Sequence, residues 1–272
     1  MPVRESQDSL GNNPFFMQII QGISSVCSEN DYMVSLATGR TDDELQKNIQ
    51  TLIRSGNITK LIFLYSRKAD PVFEFVKQKK KVSCVVVGRS YEDAPQKTVR
   101  FVDNNDQAGK DATTFMLAKG YNHLVFAYTD MDELVQTERY QGYCEALQEY
   151  GKKGSTLQLS RLSDEENAVK LQTFLAENPK TEAFVACDDI MAIRLQRLFK
   201  DSDLENHYAM IGFNNSLITE IASPALTSVD IFPYELGENA AKLLLADPKN
   251  LTEQTIVIPH KIIERESTPD LG

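Results

Sequence analysis

Basic excess is the first thing this chain lacks: 29 Lys and Arg stand against 39 Asp and Glu, for a formal net charge of −10. Nucleic-acid affinity comes largely from cationic side chains that neutralise phosphates, so the chain by itself is a poor grip for a polyanion. Its one basic run, Lys77 with Lys79, Lys80 and Lys81, follows an acidic and apolar helical segment. It reads as a solvated helix end favoured by the dipole. No apolar run is long enough for a membrane span. The 42% hydrophobic and 25% charged residues exclude disorder on composition. The polar segment Met1 to Asn13 has no apolar core of a secretion signal, and a cytoplasmic protein is expected. Cysteine is scarce. Cys27, Cys84, Cys144 and Cys187 show no C-x-x-C spacing, and Cys84 and Cys187 sit in apolar runs, so buried free thiols in a reducing compartment are expected.

Catalytic spacings are missing too. There is no G-x-G-x-x-G, no Gly-Lys-Ser/Thr phosphate loop and no G-x-S-x-G elbow. His123, His207 and His260 lie within or beside apolar strands, away from any candidate nucleophile. No enzyme and no cofactor are expected. Asp188-Asp189 invites a metal reading, but neighbouring residues at a strand end point apart, and no His or third carboxylate is spaced to join them. No metal site is expected.

What is present is an alternation of helix and strand across 272 residues, a length that allows about two domains. Phe16, Ile19 or Ile20, Ile23 and Val26 or Cys27 recur at helical spacing, and Tyr32 to Ala37 reads as a strand. Thr41 to Glu44 has the form of a capping box, and Gly56 stops the helix it opens. Asp70-Pro71 supplies an N-cap and a first-turn proline. Strands are expected at 60–65, 83–88, 99–102, 123–128, 156–160, 182–187, 208–212, 226–230 and 255–263. Helices are expected at about 104–119, 139–150 and 189–200, with others opened by Ser163 and Pro233. Helices between nearly all strands imply a parallel α/β sheet with right-handed crossovers. The absence of a Gly/Ser linker between the halves points to short strand-like crossovers and a hinge.

Three separated stretches, Asn13 to Phe16, Asp188 to Ala192 and Ile211 to Asn215, sit where one element ends and the next begins. In open α/β sheets that edge binds ligands. Each stretch offers a ring or hydrogen-bonding groups, the mixture a neutral polyol needs. These stretches belong to an ordered series: Asn13-Pro14-Phe15-Phe16; Val102-Asp103-Asn104 with Ala108-Gly109; Arg139 with Gly142-Tyr143; Asp188-Asp189 with Met191-Ala192; Ile211 to Asn215; Pro224 to Thr227; Leu236-Gly237 with Ala240-Ala241; and Arg265 to Thr268. With that series the chain resembles, from about Asn13 onward, the effector-binding and dimerisation region of the LacI/GalR family of transcription regulators. Asn214-Asn215 and the run Glu220 to Ile231 are most similar to the maltose-operon repressors of that family.

The resemblance implies two similar parallel-sheet lobes of the periplasmic-binding-protein-like type, joined by a three-strand hinge with a sugar effector between them. It implies 1–104 plus 231–256 as one lobe and 105–230 plus 257–272 as the other. It also implies a homodimer that senses maltose or a related α-glucoside and reaches operator DNA only through a helix-turn-helix domain, for which no compact three-helix segment precedes Asn13. The family's first strand is represented at most by Pro2 to Glu5. A sugar-binding transport receptor of the same fold is the alternative function.

For the effector site, the family pattern points to Phe15 and Phe16 for stacking on the sugar, with at least one of the rings, Phe16 on the helix's core face, also explained by packing. Arg139 is expected to open its helix, where a positive charge opposes the dipole, and that placement points to effector binding. Asp188 is the candidate for sugar hydroxyls and Asp189 for the N-cap of the next helix. Asn214 stands where the family more often has Asp, and its amide accepts and donates. Asn104 is a third polar contact or an N-cap. Tyr65, Ser66 and Arg89, just past strand ends, are candidate pocket walls.

Overall fold

The computed structural model describes residues 2–4, 14–64, 70–79, 81–88, 97–100, 105–160, 163–204, 207–247 and 255–271. The chain divides into two compact units, Met1–Phe101 with Phe232–Ile258, and Val102–Ile231 with Pro259–Gly272.

In the first unit the chain runs β1 (Pro2–Arg4), α1 (Pro14–Glu29), β2 (Ala37–Gly39), α2 (Asp42–Ser55), β3 (Lys60–Phe63), α3 (Pro71–Lys77), β4 (Ser83–Val87) and β5 (Lys97–Arg100). It returns later for α9 (Pro233–Leu245) and β11 (Thr255–Val257). The local signals act as expected at two helix starts. Thr41 accepts the Glu44 amide at 3.2 Å, and Asp70 accepts the amides of Val72 and Phe73 at 2.9 and 3.2 Å. Strands β3, β4, β5 and β11 pair in parallel in the order β11-β5-β4-β3, and β1 pairs in parallel with β2. The apolar faces of α2 and α3 bury Leu45, Ile49, Val72 and Val76 against Leu61, Phe63 and Val86 of the sheet, with Phe63 and Phe73 edge to face at 5.2 Å.

Two strand expectations change here. Tyr32 to Leu36 is not strand, because the ladder with β1 starts at the Pro2–Ala37 pair; Tyr32, Met33 and Leu36 are left exposed. The single last strand expected over 255–263 is two short ones. Pro259, which cannot donate to a ladder, separates β11 of the first unit from β12 (Lys261–Ile263) of the second.

The second unit holds α4 (Asn105–Ala118), β6 (Leu124–Tyr128), α5 (Leu134–Glu149), β7 (Ser155–Gln158), α6 (Asp164–Glu177), β8 (Ala183–Ala186), α7 (Asp189–Asp201), β9 (Ala209–Phe213), a one-turn α8 (Ile218–Ile221) and β10 (Thr227–Asp230). Its six-stranded sheet has the order β7-β6-β8-β9-β10-β12, parallel except for β12. Leu124 to Ala127, Ala183 to Ala186 and Ile211 are buried in its central strands, as near-continuous apolar runs covered on both faces must be. Helix α5 begins one and a half turns earlier than the periodicity suggested, at Leu134, because the polar residues Gln136 and Glu138 are buried and carry its first turns. None of the four cysteines forms a disulfide; Cys84 and Cys187 are buried, Cys27 is half-buried and Cys144 is exposed. No helix among the described residues is long and apolar enough to cross a membrane.

Helices α4 and α5 approach closely enough that a Cβ at Gly109 would run into the Arg139 carbonyl oxygen, and one at Gly142 into the Asp106 carbonyl oxygen. These two glycines set the distance between the backbones and hold Arg139 in place. Gly109→Ala and Gly142→Ala should each cost about 1–3 kcal/mol through overpacking. Urea unfolding checks this, and an unchanged midpoint in both variants would contradict the close approach.

Candidate functional site

Renumbered along the second unit, its parallel strands run in the order 2-1-3-4-5, so the direction of crossover reverses between β6 and β8. Loops leaving the carboxyl ends of two such strands diverge to opposite faces and leave a crevice, where ligands of open α/β sheets bind. Arg139 lies at this point. It is 2% exposed, its Nη1 donates to the Cys187 carbonyl just past β8 at 2.6 Å, and its guanidinium stacks 4.3 Å above the ring of Phe213 at the end of β9.

Burial lowers the Arg139 pKa to about 10, opposed chiefly by the charge of Asp188 and then by Cys187, Asp189 and Glu138. The group stays cationic at neutral pH. Its Nε is buried with no hydrogen-bond partner, an unmet donor of a kind folded proteins seldom leave. The expectation that Arg139 opens its helix is corrected. It sits in the second turn of α5, where the dipole argument has little force, and burial is the signal that marks it.

The loop after β6 is held by Gln136. Its Oε1 accepts the amides of Thr129 and Asp130 at 2.9 and 3.3 Å, and its Nε2 donates to the Thr129 hydroxyl at 2.8 Å.

After β8 the cap expected of Asp189 is supplied by Asp188 instead. Asp188 is the N-cap of α7, its Oδ1 accepting the Met191 amide at 2.7 Å; its other oxygen has no hydrogen-bond partner among the described residues. Asp189, expected as the cap, is the first helical residue and 1% exposed. Its Oδ2 accepts the amide and the hydroxyl of Ser216, both at 2.9 Å, and its Oδ1 accepts the Ser228 hydroxyl at 2.6 Å. The shift follows from backbone geometry: the cap must be the last extended residue, and Asp188 has φ −156° and ψ 174°. Burial pushes the Asp189 pKa up to about 7, against the hydrogen bonds from Ser228 and Ser216, with a smaller push from Asp188.

Past β9, Asn214 and Asn215 both take positive φ, 101° and 45°, a region Asn tolerates better than most residues. Asn215 is structural. Its amide donates to the Ser228 hydroxyl at 3.0 Å, its Nδ2 to Asp230 at 2.9 Å, and its Oδ1 accepts Arg265 Nη2 at 2.8 Å. The Asn214 side chain, by contrast, has no hydrogen bond among the described residues, and only its backbone amide is engaged, by Val229 at 2.8 Å.

The structure therefore brings Arg139, Asp188 and Asn214 to the carboxyl edge of one sheet. In the first unit, Phe15 is on the buried face of α1 with Ile19, Ile23 and Val26, while Phe16 is half-buried. This corrects the assignment of Phe16 to the core face, since the helix phase is set by the row 15, 19, 22 and 26. The two rings are tilted at 5.3 Å. Tyr65, Ser66, Arg89 and Asn104 lie outside the described residues. The sequence reading missed Phe213 as the platform for Arg139, Gln136, and the Asp189 to Ser216 and Ser228 clamp. Ser228, a buried hydroxyl between Thr227 and Val229, was the available signal. Among the described residues no group of three or more His, Cys, Asp or Glu could hold a metal ion.

Asp188→Ala should cost about 0.5–2 kcal/mol through the lost cap, while Asp188→Asn keeps it. Asp189→Ala should cost more than Asp188→Ala, because it strands three buried donors at about 1 kcal/mol or more each. Chemical denaturation of the three variants gives the ranking; the reverse order would contradict the division of roles.

Residues 113–268 match the model of the periplasmic binding protein-like domain family. The HTH-type transcriptional regulator MalR of Streptococcus pneumoniae is 28% identical over 273 residues, covering 96% of this chain and 79% of that protein. A LacI transcriptional regulator from Bacillus cereus has a solved structure with a TM-score of 0.87 at 27% identity, covering 99% of this chain and 98% of that one. A probable maltose operon transcriptional repressor from Staphylococcus shares the fold with a TM-score of 0.85 at 23% identity, over 94% of this chain and 92% of that one. Further chains of this fold were solved with cellobiose and with ribose bound. These relatives are transcription regulators and not enzymes. The chain belongs to the periplasmic-binding-protein-like domain family and is an effector-binding domain of the LacI-family transcriptional regulators.

Proposed function

We propose that the effector is a neutral sugar, maltose or a related α-glucoside, taken up at the crevice where the strand order of the second unit reverses. One observation carries this: a fully buried guanidinium with an unmet Nε, whose largest opposing charge is Asp188, a carboxylate with one oxygen left over from capping. A donor and an acceptor of opposite charge at one edge, with the Asn214 amide after β9, suit hydroxyl groups that both donate and accept. They suit a net anion less well. Phe213 beneath Arg139 supplies an apolar wall. Phe15 and Phe16 for stacking, and Tyr65, Ser66, Arg89 and Asn104 for polar contacts, complete the proposed set. The names of the maltose-regulator relatives and the sugars seen in other chains of the fold support a sugar, and the maltose class in particular.

In this reading the chain forms a homodimer, and sugar binding favours one arrangement of its two lobes. That preference requires a difference in affinity between arrangements. It changes the operator affinity of DNA-binding heads carried by the full-length regulator, since this acidic domain offers no grip on phosphates itself.

Maltose or maltotriose should raise the melting temperature more than lactose, galactose or ribose, since a ligand at about 100 times its dissociation constant adds roughly 2.7 kcal/mol to the folded state. A response to ribose and to no α-glucoside would overturn the maltose assignment. Arg139→Ala should weaken maltose binding about thirtyfold, the equivalent of roughly 2 kcal/mol, with the mass in solution unchanged. Calorimetric titration beside light scattering measures both, and wild-type affinity in the variant would remove Arg139 from the site.

A further inference from the structure

Asp189 is a buried titratable group next to the proposed effector site that the effector itself does not use. Its carboxylate joins three elements: its own helix α7, the turn after β9 through Ser216, and β10 through Ser228. We propose that Asp189 is a positioning residue that links effector binding to protonation, acting through the turn that carries Asn214. The proposal rests on the effector reading above.

Three hydrogen bonds already converge on the carboxylate, two on Oδ2 and one on Oδ1. With the carboxylate charged, the Ser228 hydroxyl donates to Oδ1 and keeps a lone pair for the Asn215 amide at 3.0 Å, while Oδ2 accepts both Ser216 donors. A proton on Oδ1 would point at Ser228 Oγ, forcing that hydroxyl to accept it and to turn its own hydrogen elsewhere, in competition with the Asn215 amide. A proton on Oδ2 would face two donors from Ser216. A proton directed along any of these bonds rearranges the hydrogen bonding that holds the turn 214–216, and Asn214 is the residue of that turn with an unengaged side chain.

The other charges around Asp189 are few. Asp188 precedes it on α7, Arg139 and Glu138 face the same edge from α5, and beyond the turn Asp230, Arg265 and Glu220 form the hydrogen-bond and ion-pair group around Asn215. None bonds to the Asp189 carboxylate. Burial, with a smaller push from Asp188, moves its titration up to about 7 against the bonds that oppose it, into the range where modest changes of pH change its charge.

Two opposite pH dependences follow. The folded pKa is raised above the ordinary Asp value, so this group's contribution to fold stability is full below the unfolded pKa and is lost as pH rises through about 7. Effector affinity runs the other way, because the charged form holds the turn. Asp189→Asn, with an amide that donates to Ser228 and accepts from Ser216, imitates the protonated state at every pH.

The test follows the backbone amides of Asn215 and Ser216 by NMR in the ligand-free chain from about pH 5.5 to about pH 8.5, and titrates maltose at both ends. In the wild-type chain both amides should move in one single-proton step, and maltose should bind at least about threefold more weakly at the acid end, a linkage of about half a pKa unit. In Asp189→Asn the step and the pH dependence of binding should both vanish. Amides that do not move with pH, or a step that persists in Asp189→Asn, would overturn the proposal. So would equal maltose affinity at the two ends in the wild-type chain. A step with no maltose binding at any pH would overturn the maltose assignment and support the protonation-sensitive turn.

Discussion

A guanidinium taken out of water sets the demands that the rest of the second unit meets. Desolvating an ion costs several kcal/mol even after relaxation, and Arg139 is almost entirely buried. The loss is offset by the Cys187 carbonyl and the charge of Asp188, both just past β8, and by the face of Phe213 at the end of β9. These groups meet because β6, β8 and β9 are neighbours in the sheet and because α5 can lie tightly on α4. That tight approach in turn exists because Gly109 and Gly142 have no Cβ. One need stays unmet: the Nε is buried with no hydrogen-bond partner, and the proposed effector site is built around it.

A second buried charge, Asp189, is handled differently. Arg139 keeps an unmet donor, whereas both carboxylate oxygens of Asp189 accept hydrogen bonds from nearby serines. A satisfied buried network of this kind rigidifies its surroundings. The positive-φ turn at Asn214 and Asn215 is held by Ser216, Ser228, Asp230 and Arg265, while the Asn214 side chain makes no hydrogen bond among the described residues. Paired Asp and Asn residues at the two strand ends thus do four separate jobs: Asp188 caps, Asp189 clamps, Asn215 anchors and Asn214 is presented.

Much of the fold was legible because its signals are local. The caps at Thr41, Asp70 and Ser163, the proline at 233 and the alternation of apolar strands with amphipathic helices depend on neighbours a few residues away, and they formed where expected. The errors share one cause. Tyr32 to Leu36 had strand character but no ladder beside it, Pro259 divided an apparently continuous strand between two units, and buried polar residues disguised the first turns of α5. In each case a contact distant in sequence overrode the local pattern.

The sequence by itself determined the parallel α/β class, because strand ends and helix starts are written in short-range spacing, and its ordered motifs carried the family resemblance that singled out Arg139, Asp188 and Asn214. Only the tertiary structure decided what each of those residues does there. Whether a carboxylate caps a helix or clamps a turn depends on which donors lie within about 3 Å of it. For Asp189 those donors come from Ser216 and Ser228, 27 and 39 residues away along the chain, a separation that no local pattern encodes.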